Sequence, residues 1–324
     1  MKALVLIGGF GTRLRPLTYT VPKQLVPLAG KPMLYHTLDL LPPEVDEAVF
    51  ATGYKAEEIA RYVAEHPPRV AVTTVPEAEP LGSGGGMRNA GDTMSDPFLL
   101  LNSDIVAEVD VAAMVSFHGR AGAYGTMLLA EVEDTRPYGV AALDEHDRIE
   151  RFVEKPEPQD APSHWINAGI QVWDRSVLER IPRGRMVSFE REIVPGVLDR
   201  GLSGFRTAGF WEDAGTLERL LRGQRLLFDA GRGGPGKLPH GAIGSGPAAF
   251  GASVSVRGAS FGPYVTLGDG VVVEPGAHVQ DAVLMDGVTV GANASVHGSI
   301  VGPRARVRPG VRVDGQIVGA DAEA

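Results

Sequence analysis

The chain has 324 residues, 44% of them hydrophobic, and a formal net charge of −9. That length predicts two domains, and the apolar content is enough for a full buried core. The negative charge argues against nucleic acid as a partner. The absence of cysteine excludes disulfides and thiolate metal sites and fits a reducing cytoplasm. No apolar run approaches the ~18 residues of a membrane span, and the N-terminus reads as a strand rather than a leader.

The first forty residues are the most informative. An apolar, β-rich run ending at Ile7 breaks into Gly8-Gly9-Phe10-Gly11 and then Thr12-Arg13-Leu14-Arg15. Pro22-Lys23 and Gly30-Lys31-Pro32 follow, and no acidic residue occurs before Asp39. A basic, glycine-rich loop at a strand end, inside an acidic protein, is suited to holding phosphates. Onward from there, 4–7, 48–51, 70–75 and 98–101 read as strands, and 33–41, 56–65, 86–91 and 111–118 as helices between them. Alternation of this kind predicts an α/β domain with a mainly parallel sheet covered on both faces. Such sheets bind ligands at the carboxyl ends of their strands, where 8–13 and Asn102-Ser103-Asp104 fall.

Glycine and proline dominate 229–237, which reads as a linker. Beyond it a six-residue pulse runs through Val265, Val271, Ala277 and Val283. The pulse predicts a parallel β-helix of hexapeptide repeats, of roughly four coils between 250 and 318, rather than a β-sandwich with glycine-rich turns. The expected division is therefore 1–230 and 238–324.

Two common phosphate motifs fail on the residues themselves. The dinucleotide pattern finds Gly9 and Gly11 but Leu14 in its third place, and the P-loop pattern finds Leu25 in place of its first glycine and Pro32 after Gly30-Lys31. What remains is GGFGTRLRPLT followed by PKQL. This resembles the sugar-1-phosphate nucleotidyltransferase family. The resemblance continues through Glu79-Pro80-Leu81-Gly82-Ser83, Leu101-Asn102-Ser103-Asp104, Tyr138-Gly139-Val140, Phe152-Val153-Glu154-Lys155-Pro156, Asn167-Ala168-Gly169-Ile170 and Trp211-Glu212-Asp213-Ala214-Gly215-Thr216. Within that family the chain is most similar to the mannose-1-phosphate guanylyltransferases. It departs from them in reading LGSGGGM from Leu81, where Thr-Ala-Gly is usual, and in a shorter repeat region.

The resemblance implies a Rossmann-like nucleotidyltransferase domain followed by a left-handed β-helix. It also implies in-line attack of a sugar-1-phosphate oxygen on the α-phosphorus of a nucleoside triphosphate, with pyrophosphate leaving. The nucleophile is already anionic, so no general base is needed; positioning and charge neutralisation do the work. Gly8, Gly9, Gly11 and Thr12 are then expected at the triphosphate, with Arg13 gripping the β- and γ-phosphates and Lys23 the α-phosphate. Arg15 and Lys31 are equally well explained as solvated. Asp104 and Asp213 are the expected Mg²⁺ ligands, since hard carboxylate oxygens suit that ion. Either could instead be a helix cap or turn residue.

Glu154, Lys155, Asn167 and the backbones of Gly139 and Gly169 are expected to hold the sugar phosphate. Glu77 and Gly82 fall in the base-reading segment. A carboxylate there suits the paired N–H donors of guanine, although Glu77 could also be a solvated loop residue. GTP with mannose-1-phosphate is the leading substrate pair, with UTP or dTTP and glucose-1-phosphate as the alternative. A non-catalytic GDP-sugar sensor is disfavoured by the presence of Arg13, Lys23, Asp104 and Asp213. A second, acyltransferase activity is disfavoured by the short repeat region; His278 and His297 read as coil histidines. The β-helix is expected to carry homo-oligomer contacts.

Overall fold

A computed structural model describes residues 1–234, 239 and 241–324. The end of the expected linker (235–237) and the expected start of the repeat domain (238) lie outside the described residues. By contacts the chain forms two compact units. Met1–Gly9 joins Thr37–Trp211 in the first, and Phe10–His36 joins Glu212–Ala324 in the second.

The first unit is built on a nine-stranded sheet. Lys2–Ile7 lies between Glu47–Thr52 and Phe98–Asn102, parallel to both, and Ala71–Pro76 extends the parallel set. These strands are bridged by helices such as Ala56–Glu65 and Gly82–Ala90. Lys2–Ile7 is buried at Ala3, Leu4, Val5 and Ile7, as a strand covered on both faces requires. Past Phe98–Asn102 the sheet turns antiparallel through Trp165–Trp173, which pairs with Phe98–Asn102 and Gly125–Glu131. Gly139–Leu143 and Ile149–Glu154 form a hairpin at the edge. The sheet is thus mixed. It is parallel from Ala71–Pro76 to Phe98–Asn102 and antiparallel around Trp165–Trp173, and only the edge hairpin is closed by a short turn.

The second unit contains the signature segment and the repeats. Phe10–His36 folds into three single turns, Thr12–Leu14, Leu17–Tyr19 and Lys23–Leu25, and a short pairing of Pro27 with Pro32 and Leu28 with Lys31. The helix Leu217–Asp229 buries Leu220, Leu221, Gln224 and Leu227. Among the described residues fourteen short strands follow in three parallel sheets of five, five and four, the arrangement expected of a left-handed β-helix.

Most strand registers show a coil of 17 residues rather than 18, since Val265 pairs with Ala282 and Ser255 with Val272; Ser260, paired with His278, is the exception at 18. The six-residue pulse therefore loses one residue per coil. Val265, Val271 and Ala277 line the coil core, and Ala282 continues the line. Val283 is buried too, but it stands in register with Thr266, outside that core. Strands begin at Ile243, earlier than the hexad count suggests.

Candidate active site

Strand ends of the first unit gather the base-side residues. Glu77 follows Ala71–Pro76, and its amide bonds to Thr52 carbonyl at 2.7 Å. Its carboxylate turns back under the helix Gly82–Ala90, where Oε2 accepts the Leu81 amide at 3.0 Å. One glycine makes room for it and a second faces it in ordinary contact. A Cβ on Gly86 would lie 2.5 Å from Oε1, and one on Gly8 would lie 4.0 Å from both carboxylate oxygens. Burial raises the Glu77 carboxyl above the usual range, and the Leu81 hydrogen bond opposes that rise. Gly9 continues the exposed turn out of Lys2–Ile7.

Gly82 takes φ +71°, and a Cβ there would meet Val187 carbonyl at 2.6 Å. The approach is fixed by Val187 amide to Leu81 carbonyl (2.8 Å) and Gly84 amide to Val187 carbonyl (2.9 Å). Ser83 locks the same segment, donating to Glu190 Oε2 at 2.7 Å and accepting the Phe189 amide at 3.0 Å. The sequence assigns no role to Ser83, Gly86 or Glu190. The run Ser188-Phe189-Glu190-Arg191-Glu192 was the only local signal for Glu190.

The sugar-side residues lie on the antiparallel strands. Glu154 pairs with Gly139 across the hairpin, and a Cβ on Gly139 would stand 2.7 Å from Glu154 Oε2 and closer still to the Phe152 ring. Lys155 Nζ is 3.6 Å from Glu154 Oε1, and Lys155 adopts φ +52° with its amide on Tyr138 carbonyl at 2.8 Å. Burial, and then the charge of Glu190, push the Glu154 carboxyl up; Lys155 and Arg191 pull against them.

Asn167 sits where the register of Trp165–Trp173 slips against Gly125–Glu131. Its Oδ1 accepts the Gly169 amide at 3.1 Å and Gln171 Nε2 at 3.3 Å. Gly169 takes φ +76°, and a Cβ there would lie 2.8 Å from Asn102 Nδ2. Asp104 leaves Phe98–Asn102 partly buried. Asp110, not Asp104, caps the next helix, accepting the Ala113 amide at 2.8 Å.

The second unit holds the cationic residues. Gly11 takes φ +60° and starts the turn Thr12–Leu14. Thr18 Oγ1 donates to its carbonyl at 2.8 Å, and Lys23 Cβ is 3.3 Å from where a Gly11 Cβ would stand. Arg13 is exposed, and its guanidinium passes directly over Gly215, with Asp213 Oδ1 on the same glycine. Asp213 Oδ2 is 3.6 Å from Arg219 Nη1. Arg219 is a further cation at this carboxylate that the sequence did not single out. Thr216, not Asp213, caps Leu217–Asp229, accepting the Arg219 amide at 3.3 Å.

The structure therefore brings Arg13, Gly215 and Asp213 together, and Gly11 with Lys23. Glu77, Gly8 and Gly86 form a separate cluster in the first unit, as do Gly139, Glu154 and Lys155. Arg15 lies over the Tyr19 ring at 4.9 Å, and Lys31 is half-buried with its pKa lowered by burial and by Arg232. His278 bonds Ser260 at 2.8 Å, and His297 pairs with Asp314 at 3.0 Å on the coil surface. Among the described residues no group of three or more His, Cys, Asp or Glu could hold a metal, and no helix is long and apolar enough to cross a membrane.

Comparison with known proteins fits this arrangement. Residues 2–229 match the Nucleotidyl transferase family and 245–324 the GMPPB C-terminal domain. The chain is 37% identical to a probable mannose-1-phosphate guanylyltransferase 1 of Oryza sativa, over 92% of this chain and 85% of the relative. It is 39% identical to the mannose-1-phosphate guanylyltransferase of Mycobacterium tuberculosis, over 91% and 83%.

Among solved structures it is similar to a putative glucose-1-phosphate thymidylyltransferase of Bacillus anthracis. The TM-score is 0.64 and the identity 25%, covering 70% of this chain and 94% of that one. HddC of Yersinia pseudotuberculosis complexed with GMP-PN is also similar, with TM-score 0.59 and 26% identity, covering 69% and 98%. The chain belongs to the nucleotidyl transferase family, as a sugar-1-phosphate nucleotidyltransferase.

Proposed function

We propose that the chain condenses GTP with mannose-1-phosphate to give GDP-mannose and pyrophosphate. Relatives that carry the name mannose-1-phosphate guanylyltransferase at 37% and 39% identity support the substrate pair. The observation that carries the guanine assignment is Glu77, a carboxylate seated between Gly8 and Gly86 with one oxygen tied to Leu81 amide. A carboxylate accepts the two adjacent N–H donors of guanine, whereas a pyrimidine carbonyl would face like partial charge.

In this reading Gly8, Gly9, Gly11 and Thr12 line the triphosphate. Arg13 grips the β- and γ-phosphates, and Lys23 neutralises charge at the α-phosphate. Gly82 lets the base segment approach. Glu154 accepts hydrogen bonds from sugar hydroxyls, Lys155 pairs with the sugar phosphate, and Asn167 with the backbones of Gly139 and Gly169 completes the shell.

Asp104 and Asp213 would hold Mg²⁺. Hard carboxylate oxygens suit an ion that keeps waters and phosphate oxygens in its shell. When bound, the ion supplies charge neutralisation on the phosphates. The same reading assigns 1–230 to transfer and 238–324 to the β-helix, puts the enzyme in the cytoplasm, and makes it a homo-oligomer joined through the β-helix. The experiment is pyrophosphate release from each NTP with a panel of sugar-1-phosphates and Mg²⁺. Turnover confined to UTP or dTTP would overturn the guanylyl assignment.

A further inference from the structure

The signature segment shares its compact unit with the β-helix, and one fully buried amide joins the two. Gln224, on Leu217–Asp229, has no exposed surface. Its Oε1 accepts the Ala29 amide at 3.3 Å and the Thr266 hydroxyl at 2.6 Å. Its Nε2 donates to Tyr264 carbonyl at 2.9 Å and Ala282 carbonyl at 3.5 Å. All the capacity of the amide is used, as burial demands. Thr266 and Ala282 belong to adjacent coils, so one side chain holds the coil stack and the signature segment at once.

Ala29 needs that hold. It adopts φ +47°, a left-handed conformation that disfavours any residue with a Cβ. Gly234 amide grips its carbonyl at 2.8 Å from the other side. Gly30 beside it is packed so closely on the coil residue Ala249 that a Cβ would lie 2.9 Å from Ala249 Cβ. The turn then transmits its position. Leu28 pairs with Lys31, Met33 amide bonds Val26 carbonyl at 3.0 Å, and Val26 amide bonds Lys23 carbonyl at 3.1 Å. At the segment's other end, Pro16 meets Gly319 of the last coil; a Cβ on Gly319 would lie 3.5 Å from the proline ring.

We propose that Gln224 is a positioning residue for nucleotide binding, through which the β-helix sets the place of the Ala29 turn and of Lys23. The proposal rests on the role given above to Lys23. Gln224→Met keeps the length of the side chain and removes all four hydrogen bonds. It should raise the KM for the NTP about tenfold, as expected for ~1.4 kcal/mol of lost binding, and leave the KM for the sugar-1-phosphate within about twofold.

Hydrogen exchange of the full chain without nucleotide gives an independent readout. Amides of residues 10–36 should exchange about tenfold faster in Gln224→Met, while those of coils beyond residue 285 keep their protection. Thr266→Val, which removes only the donor to Oε1, should move both readouts the same way by a smaller factor and serves if Gln224→Met does not fold. Unchanged exchange over 10–36 in the folded variants overturns the proposal. So does an equal rise of both KM values. A wild-type protein that transfers no nucleotidyl group would overturn the functional reading instead, and leave the exchange result to judge the linkage.

Discussion

The two units use glycine for different ends. In the first, Gly86, Gly139 and Gly169 stand where a Cβ would strike a polar side chain, namely Glu77, Glu154 or Asn102. In the coils, Gly291 and Gly302 stand where a Cβ would strike the backbone of the next turn, at Pro309 and at Gly319-Ala320. The same residue type thus protects a functional group in one unit and a stacking distance in the other. The contrast teaches that substitution of these sheet glycines reads out as activity, and substitution of these coil glycines as stability.

The largest expected effect tests whether the carboxylates at Asp104 and Asp213 act through charge rather than fold. Asp104→Asn and Asp213→Asn should each lower kcat by roughly 100-fold or more, the scale for losing one strong electrostatic stabiliser. Both are partly exposed and neither caps a helix, so thermal unfolding should stay near wild type. Near-normal turnover in either variant removes that residue from the proposed metal site.

The next test uses burial of titratable groups, which acts with opposite sign on a base and on an acid. His36, in the second unit, is buried and donates from Nε2 to Leu28 carbonyl at 2.8 Å. Burial is the main cause that lowers its pKa from 6.5 to about 4, and Lys31 and Arg232 add to it. The depressed value means that the unfolded chain binds more protons between those limits. The stabilisation is therefore complete above pH 6.5 and lost as the pH falls toward 4, by about 3 kcal/mol in all.

Glu154, in the first unit, has the opposite sense. Its pKa is raised, so stability falls as the pH rises from the ordinary carboxylate range through its folded value. Denaturation measured from pH 4 to 7 should show the acid-side loss shrink in His36→Gln. It should also show higher stability for Glu154→Gln at pH 7. A His36→Gln profile that parallels wild type would show that this histidine does not set the acid limit.

The glycine contrast itself gives the third test. Gly139→Ala should cut kcat/KM for the sugar-1-phosphate through displacement of Glu154, and should also cost some stability where the added methyl meets the buried Phe152 ring. Gly302→Ala should cost ~2 kcal/mol of stability, the scale of overpacking, with kinetic constants unchanged in the folded fraction. If the two variants exchanged their phenotypes, the division of roles between the units would fail.

Much of this was legible in the chain. The glycine-rich strand end, the alternation of the first hundred residues and the hexad pulse each have a local physical cause, so pattern reading finds them. The 17-residue coil was not legible, because one deletion per turn hides in the corner residues, and Val283 satisfied the pulse while standing outside the coil core. Glu190 and Gln224 were hidden for another reason. Each depends on contacts more than 30 positions away, Glu190 with Ser83 and Gln224 with Thr266. Nothing in their own neighbourhoods announces that.

The smallest expected effect concerns the base. In Glu77 the Leu81 amide already occupies Oε2, and Gly86 and Gly8 leave space around the carboxylate. Glu77→Gln keeps one carbonyl acceptor and replaces the other oxygen with a donor. The amide can still accept from either Leu81 or one guanine N–H, so the loss is part of a charge-assisted pair rather than all of it. The expected cost is ~1 kcal/mol of GTP preference, about fivefold in the ratio of kcat/KM for GTP to that for UTP or dTTP. Gln also offers the donor and acceptor that a pyrimidine edge needs, so part of the change should appear as a gain for UTP and dTTP. Burial that now raises the Glu77 carboxyl would no longer act on a charge, so the variant should unfold at a slightly higher temperature at neutral pH. An unchanged nucleotide preference in a folded Glu77→Gln would leave this carboxylate a structural brace for Leu81 and take the base reading away from it.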